Sequence, residues 1–156
     1  MPEKKKRRFL KPLLLGALAL AAAIQLVPYG RDHSNPAVAT EPKWDSAATR
    51  DLAKRACFDC HSNETEWPWY SHVAPVSWLV QRDVNEGRSE LNFSEWNRPQ
   101  KNGQKAAKEV RDGEMPMWIY LPTHPQARLS DAEKQALIQG LEATFGTRES
   151  PRKGDD

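Results

Sequence analysis

Two cysteines, two residues between them and a histidine after the second constrain this chain more than any other stretch. Cys57-Phe58-Asp59-Cys60-His61 holds both cysteines of the sequence. The same spacing attaches a c-type haem: each thiol adds to one vinyl group, and the histidine becomes an axial ligand of the iron. Cys57 and His61 are four residues apart, so one helical turn brings them to the same side, and Cys60 reaches the second vinyl from the adjacent turn. Three plainer readings compete. A disulfide across so short a loop would staple little chain. A thioredoxin-like redox pair wants a βαβ context, which the sequence does not offer. A zinc site needs further Cys or His at finger spacing, and none follows. The motif therefore reads as a covalent site for one haem c.

A length of 156 residues predicts one domain with appendages. Hydrophobic residues make up 38% of the chain, and many of them sit in its first thirty positions, so the rest is poor in aliphatic core. A haem would give such a chain a large apolar plate to fold around. Tryptophan is nearly half of the aromatic content, at Trp44, Trp67, Trp69, Trp78, Trp96 and Trp118. Each of these could cover a flat ring or fill a small core. The net charge of +2 is unevenly spread: Lys4, Lys5, Lys6, Arg7, Arg8 and Lys11 face only Glu3 before Leu13, and the remainder is acidic. The basic run has a better explanation than nucleic acid, and no nucleic-acid surface is expected.

That explanation is export. Residues 1–11 form a basic cytoplasmic region, and residues 12–29 carry an apolar run from Leu13 to Val27. A positive segment before an apolar one is a signal or a transmembrane anchor, with the lipid bilayer as its partner. The apolar run continues through Ile24-Gln25-Leu26-Val27-Pro28-Tyr29, where a cleavage region should already be polar, so an uncleaved transmembrane anchor is preferred to a cleaved signal. Residues 30–43 read as an extended tether in which His33 is solvated or locally bonded. Residues 44–146 form the haem domain, and residues 147–156 a polar, disordered tail.

Within the domain, Asp45 or Ser46 caps a helix running to about Cys57, with Leu52 and Ala56 on one side. Pro68 blocks helix in the aromatic loop that follows His61, a loop placed to wrap one edge of a cofactor. Pro75 opens a helix that carries Val76, Leu79, Val80 and Val84 on one face and stops at Gly87. A charged helix from about Gln104 to Arg111 ends at Gly113. Ser130 and Glu133 make a capping box for a last helix with Leu137, Ile138, Leu141 and Phe145 buried and Gly146 as its stop. The fold class is all-α: about four helices with long loops around one haem.

The second axial ligand must come from elsewhere. Thioether sulfur is a soft donor that favours reduced iron. Met1 is the initiator, which leaves Met115 and Met117 in a loop broken twice by proline. Met115 precedes Pro116, which restricts its backbone and helps aim its side chain. Met115 is the expected distal ligand, with Met117 and His124 as alternatives; His72 reads as a loop contact.

The run CFDCHSNETEWPWYSHVAPVSWLV, with LNFSEW, GEMPMWIYLPTHPQARLS and the earlier RDHSNP, resembles a bacterial haem-binding domain family whose members carry CxxCHSNxTxWPWY. The likeness covers roughly residues 24–145. It implies an exported, often membrane-tethered, single-haem c-type domain, and the helix order is similar to the cytochrome c fold. The expected function is one-electron transfer on the periplasmic side of a bacterial inner membrane, with an unidentified redox protein as partner. A soluble periplasmic form after cleavage is the alternative location. No acid/base or nucleophile constellation suggests an enzyme. A haem sensor or small-gas binder, or an accessory subunit of a haem enzyme, is the competing function.

Overall fold

The computed structural model describes residues 3–146. Six α-helices carry the described chain: α1 Glu3–Ile24, α2 Ala47–Ala56, α3 Phe58–His61, α4 Val76–Glu90, α5 Ala106–Asp112 and α6 Asp131–Phe145. Among the described residues the β-structure is a single isolated bridge between Thr40 and Glu95. The all-α expectation is met. The expected disordered tail lies outside the described residues.

Two compact units are formed. One takes the chain up to His33 together with Trp67–Asp83; the other takes Ser34–Glu66 together with the residues from Val84 onward.

In the first unit, α1 ends in a turn where the Gln25 side chain donates to the Ala74 carbonyl at 2.9 Å and accepts from the Ala74 amide at 3.0 Å. His33 stacks on Trp67 at 4.5 Å and bonds the Ser71 carbonyl through Nε2 at 2.9 Å. Its partners lie more than thirty residues on, so His33 is a long-range contact rather than the solvated or locally bonded residue expected. The expected transmembrane helix is not found: among the described residues no helix is long and apolar enough to cross a membrane. The cause is where the charges fall. The uncharged run of α1 spans only Pro12–Ile24 and rises about 20 Å, against roughly 30 Å of bilayer core.

In the second unit, α2 and α5 both pack on α6. Ser46 caps α2, its hydroxyl accepting from the Thr49 amide at 3.2 Å. Gly113 closes α5 in a left-handed conformation with φ of 80°, and Ser130 and Glu133 form the expected capping box of α6. Where α2 meets α6, Gly140 has no room for a side chain: a Cβ there would lie 2.0 Å from the Thr49 hydroxyl oxygen. The core joins Ala53 of α2, Phe58 of α3, Val110 of α5 and Leu137, Ile138 and Leu141 of α6 with Leu91 and Phe93. Trp44, Phe93, Trp96 and Phe145 stack around its edge with ring centroids 4.6 to 6.4 Å apart. Trp44 and Trp96 are therefore core residues, whereas Trp69 and Trp118 are largely exposed.

Helix α4 departs from its expected pattern. Val76 and Leu79 are exposed, and the buried positions are Ser77, Gln81 and Val84. Nor does Gly87 end the helix, which continues to Glu90. The segment expected as a free tether is likewise pinned from Ser34 onward: the Ala39 and Thr40 amides both donate to the Ser94 carbonyl, at 2.9 and 3.1 Å.

Candidate functional site

The motif is built at the break between two helices. Helix α2 stops at Ala56 because Cys57 leaves helical geometry, with φ of −130°. The turn survives the break: the Cys60 and His61 amides donate to the Cys57 carbonyl at 3.2 and 2.9 Å. Phe58 faces inward and is only 2% exposed, which anchors the turn in the core. Cys57 borders the same core. Both cysteines are thiols rather than a disulfide. Burial, and then the neighbouring Cys60, push the Cys57 thiol up to about 12. A redox dithiol of the thioredoxin kind requires the opposite shift.

His61 is aimed from α4. Its Nδ1 lies 3.1 Å from the Gly87 carbonyl and 3.1 Å from the Leu91 carbonyl. Two acceptors require a hydrogen on Nδ1, so Nε2 keeps its lone pair. Burial lowers the pKa of the ring, outweighing the two carbonyls that raise it, and favours the neutral form. Gly87 makes this approach close. A Cβ on it would lie 2.4 Å from the Cys60 carbonyl oxygen and 3.1 Å from the Cys60 Cβ. The glycine read from sequence as a helix stop is a contact point between α4 and the motif.

The residues after His61 hold the turn through buried polar groups. Phe93 donates its amide to the His61 carbonyl at 2.8 Å. Ser62 bonds the Phe58 carbonyl at 2.8 Å, and the Asn63 amide donates to the Ser94 hydroxyl at 2.9 Å. Asn92 donates to the Asn63 side-chain oxygen at 2.9 Å and accepts from the Ser94 amide at 2.9 Å. Arg88 of α4 spans the Ser62 carbonyl, the Ser34 carbonyl, Asn35 and Thr65 at 2.7 to 2.9 Å. Sequence reasoning assigned none of these roles, although SNP, CHSNxT and LNFSEW were the fragments that stood out.

A family model described as a haem-binding domain matches residues 19–143. This chain belongs to the haem-binding domain family. Comparison with curated proteins and with solved structures gives no match. Imidazole nitrogen is a common donor to haem iron, and His61, with Nδ1 committed to two carbonyls and the lone pair left on Nε2, is suited to that role. The donor set around it, two thiols and one imidazole on a single turn, is compatible with haem. Among the described residues no group of three or more His, Cys, Asp or Glu is gathered in the manner of a metal-ion site.

The loop after α5 carries the other expected ligands of this haem-binding domain. Met115 is half-buried and packs against the core that Cys57 also borders, and its amide donates to the Glu109 carbonyl at 3.1 Å. Met117 is half-buried at a turn, its carbonyl accepting from the Tyr120 amide at 3.0 Å. His124 is stacked on Tyr120 with centroids 3.7 Å apart, and its Nε2 lies 4.0 Å from an Asp59 oxygen. Tyr120 donates its hydroxyl to that same carboxylate of Asp59, inside the motif. Burial and the Asp59 carboxylate raise the Tyr120 pKa, so the phenol keeps its proton. Asp59 and Tyr120 were not singled out in the sequence; the signal was their place, one between the two cysteines and one in the Met-Pro block. Elsewhere, a surface cleft of about 420 Å³ beside Trp96 and Phe145 is lined by none of the expected site residues.

Proposed function

We propose that this haem-binding domain carries one covalently attached haem c and works as an exported one-electron carrier rather than as an enzyme. Cys57 and Cys60 each add across a vinyl group. The sulfur bonds one carbon and the thiol hydrogen goes to the other, so nothing is oxidised and nothing leaves. His61, through Nε2, and Met115 would hold the iron. When bound, the haem would supply reversible one-electron exchange between a reduced donor protein and an acceptor. The chain's own work is to hold the ligands. Burial keeps the imidazole neutral, the carbonyls of Gly87 and Leu91 orient it, and the core holds Cys57 and Met115.

The observation that carries the reading is the pair of 3.1 Å contacts at His61 Nδ1, which leaves Nε2 as the bare donor directly after two thiols. Met115 is preferred to Met117 because it packs on the core that Cys57 borders. A thiol-bearing turn, a Met-Pro loop and a C-terminal helix packed on the helix before the motif support a cytochrome c-like reading. The basic residues before Leu13 and the apolar run after them support export to the periplasmic side, with the N-terminal segment associated with the bilayer.

The test is the absorption spectrum of the chain produced with haem-maturation machinery. Haem should stay with the denatured polypeptide, and Cys57→Ala with Cys60→Ala should release it. The oxidised form should show the weak far-red sulfur-to-iron band, lost in Met115→Ala. Haem that extracts freely from the wild type refutes covalent attachment. Rapid stoichiometric binding of carbon monoxide to the reduced wild type refutes a stable His61/Met115 pair and moves the function to gas binding.

A further inference from the structure

We propose that Asp59 and Tyr120 form a latch that closes the Met115 loop onto the cysteine-bearing turn and so sets how firmly Met115 is retained as a ligand. The inference rests on the His61/Met115 reading and adds two positioning residues to it.

The acceptor side is fixed in place. One Asp59 oxygen accepts from the Glu66 amide at 2.9 Å, and the Asp59 carbonyl accepts from the Thr65 hydroxyl at 2.7 Å. The other carboxylate oxygen takes the Tyr120 hydroxyl, across 61 residues of sequence. On the donor side, His124 lies flat against the phenol, with 11° between the rings. The same imidazole reaches back through Nδ1 to the Tyr120 carbonyl at 2.9 Å. The phenol is therefore held by a carboxylate at its tip and by its own loop along its face.

The bonds nearer Met115 are local. The amides of Glu114 and Met115 both donate to the Glu109 carbonyl, and the Tyr120 amide donates to the Met117 carbonyl. They shape the loop but do not tie it to the motif. Tyr120 does tie it, five residues beyond Met115 and one residue from Cys60 on the other side of the bond. A hydrogen bond to a charged acceptor is among the stronger ones available to a side chain. Opening the loop to release Met115 must break it.

The test uses the haem-loaded full chain and imidazole as the competing ligand, followed by absorption at fixed pH. Tyr120→Phe removes one oxygen and keeps the ring that stacks on His124. It should raise imidazole affinity about tenfold, which corresponds to ~1.4 kcal/mol. Asp59→Asn keeps an acceptor but not its charge, and should raise the affinity less, about threefold. In a Met115→Ala background, Tyr120→Phe should change imidazole affinity by less than about twofold, because the ligand that the latch retains is gone.

A wild type with the far-red band and a Tyr120→Phe variant of unchanged imidazole affinity would overturn the latch while leaving the axial pair intact. The full tenfold effect persisting without Met115 would overturn its action through that residue. A wild type lacking the band, and binding imidazole as tightly as Met115→Ala, would overturn the axial pair and the latch with it.

Discussion

Replacing Gly87 with alanine tests whether the close approach of α4 to the motif is what aims His61. In an ordinary helix interior the exchange stabilises by about 0.5–1 kcal/mol, since alanine is the better helix former. Here the new Cβ would sit 2.4 Å from the Cys60 carbonyl oxygen, a backbone atom that cannot rotate away. Restoring an ordinary contact needs a shift of about 0.8 Å, because non-bonded atoms do not settle much below ~3.2 Å. If α4 moves by that amount, the 3.1 Å bond from His61 to the Gly87 carbonyl stretches beyond hydrogen-bonding range. Leu91 still offers its carbonyl at 3.1 Å, so the hydrogen-bond loss is partial, about 1 kcal/mol. Overpacking adds about 1–3 kcal/mol. Subtracting the helix gain leaves a net loss of about 1–3 kcal/mol, a fall in melting temperature of several degrees for a domain of this size. The assay is urea unfolding of the haem-loaded chain followed by tryptophan fluorescence. Gly16→Ala is the control, because nothing lies within 4 Å of that position. A Gly87→Ala midpoint equal to or above the wild type would refute the steric argument.

Three further predictions follow from the packing. Gly140→Ala should lower the urea midpoint by an amount equivalent to about 1–3 kcal/mol, and adding Thr49→Ala should recover part of it, since two of the three clashing atoms belong to the lost part of that side chain. Asn92→Ala strips partners from the Asn63 side chain and the Ser94 amide, both buried, and should cost about 2–3 kcal/mol by the same assay. The Ser130 amide, the Arg55 guanidinium and the Ser130 hydroxyl hold the Glu133 carboxyl at about 2, below its ordinary 4.5. A depressed carboxylate contributes fully above the unfolded value and is lost as pH falls toward the folded one, so melting temperature should drop between about pH 4.5 and 2. Glu133→Gln should flatten that part of the melting curve; an unchanged slope would remove Glu133 as its source.

The parts of the fold that follow local rules were legible in the sequence. The Ser46 cap, the left-handed Gly113 and the reciprocal bonds of Ser130 and Glu133 each depend on neighbours three or four residues away, and each stands where expected. Helix α4 was misread because hydrophobic periodicity assumes that buried positions are apolar. Its buried positions include Ser77 and Gln81, while Val76 is 40% and Leu79 51% exposed. The apolar count therefore pointed to the wrong face. Asn63, Asn92 and Ser94 escaped the sequence reading for the same reason: they are polar, yet 3%, 1% and 0% exposed. Their burial depends on partners about thirty residues away, which a one-dimensional pattern does not register. Gly87 shows the limit from the other side. Glycine in a helical pattern signals either an end or a close approach, and only the position of Cys60 decides between them.

The dependence on polar groups is connected to the shortage of aliphatic ones. A loop packed by leucine and valine can slide by fractions of an ångström at small cost, because dispersion is non-directional. A loop held by Asn63, Asn92, Ser94 and Arg88 cannot, since a buried polar group loses more by an unmade bond than it gained by a made one. In this chain those bonds converge on one residue from two directions. The His61 ring is fixed by the carbonyls of Gly87 in α4 and of Leu91 just beyond it, and the His61 backbone carbonyl is fixed by the amide of Phe93, which lies between Asn92 and Ser94. The imidazole is thus oriented by the protein before any ligand reaches Nε2. Variants that disturb the polar groups should therefore weaken haem binding, read as haem content by absorption, even where they lie outside the cysteine motif.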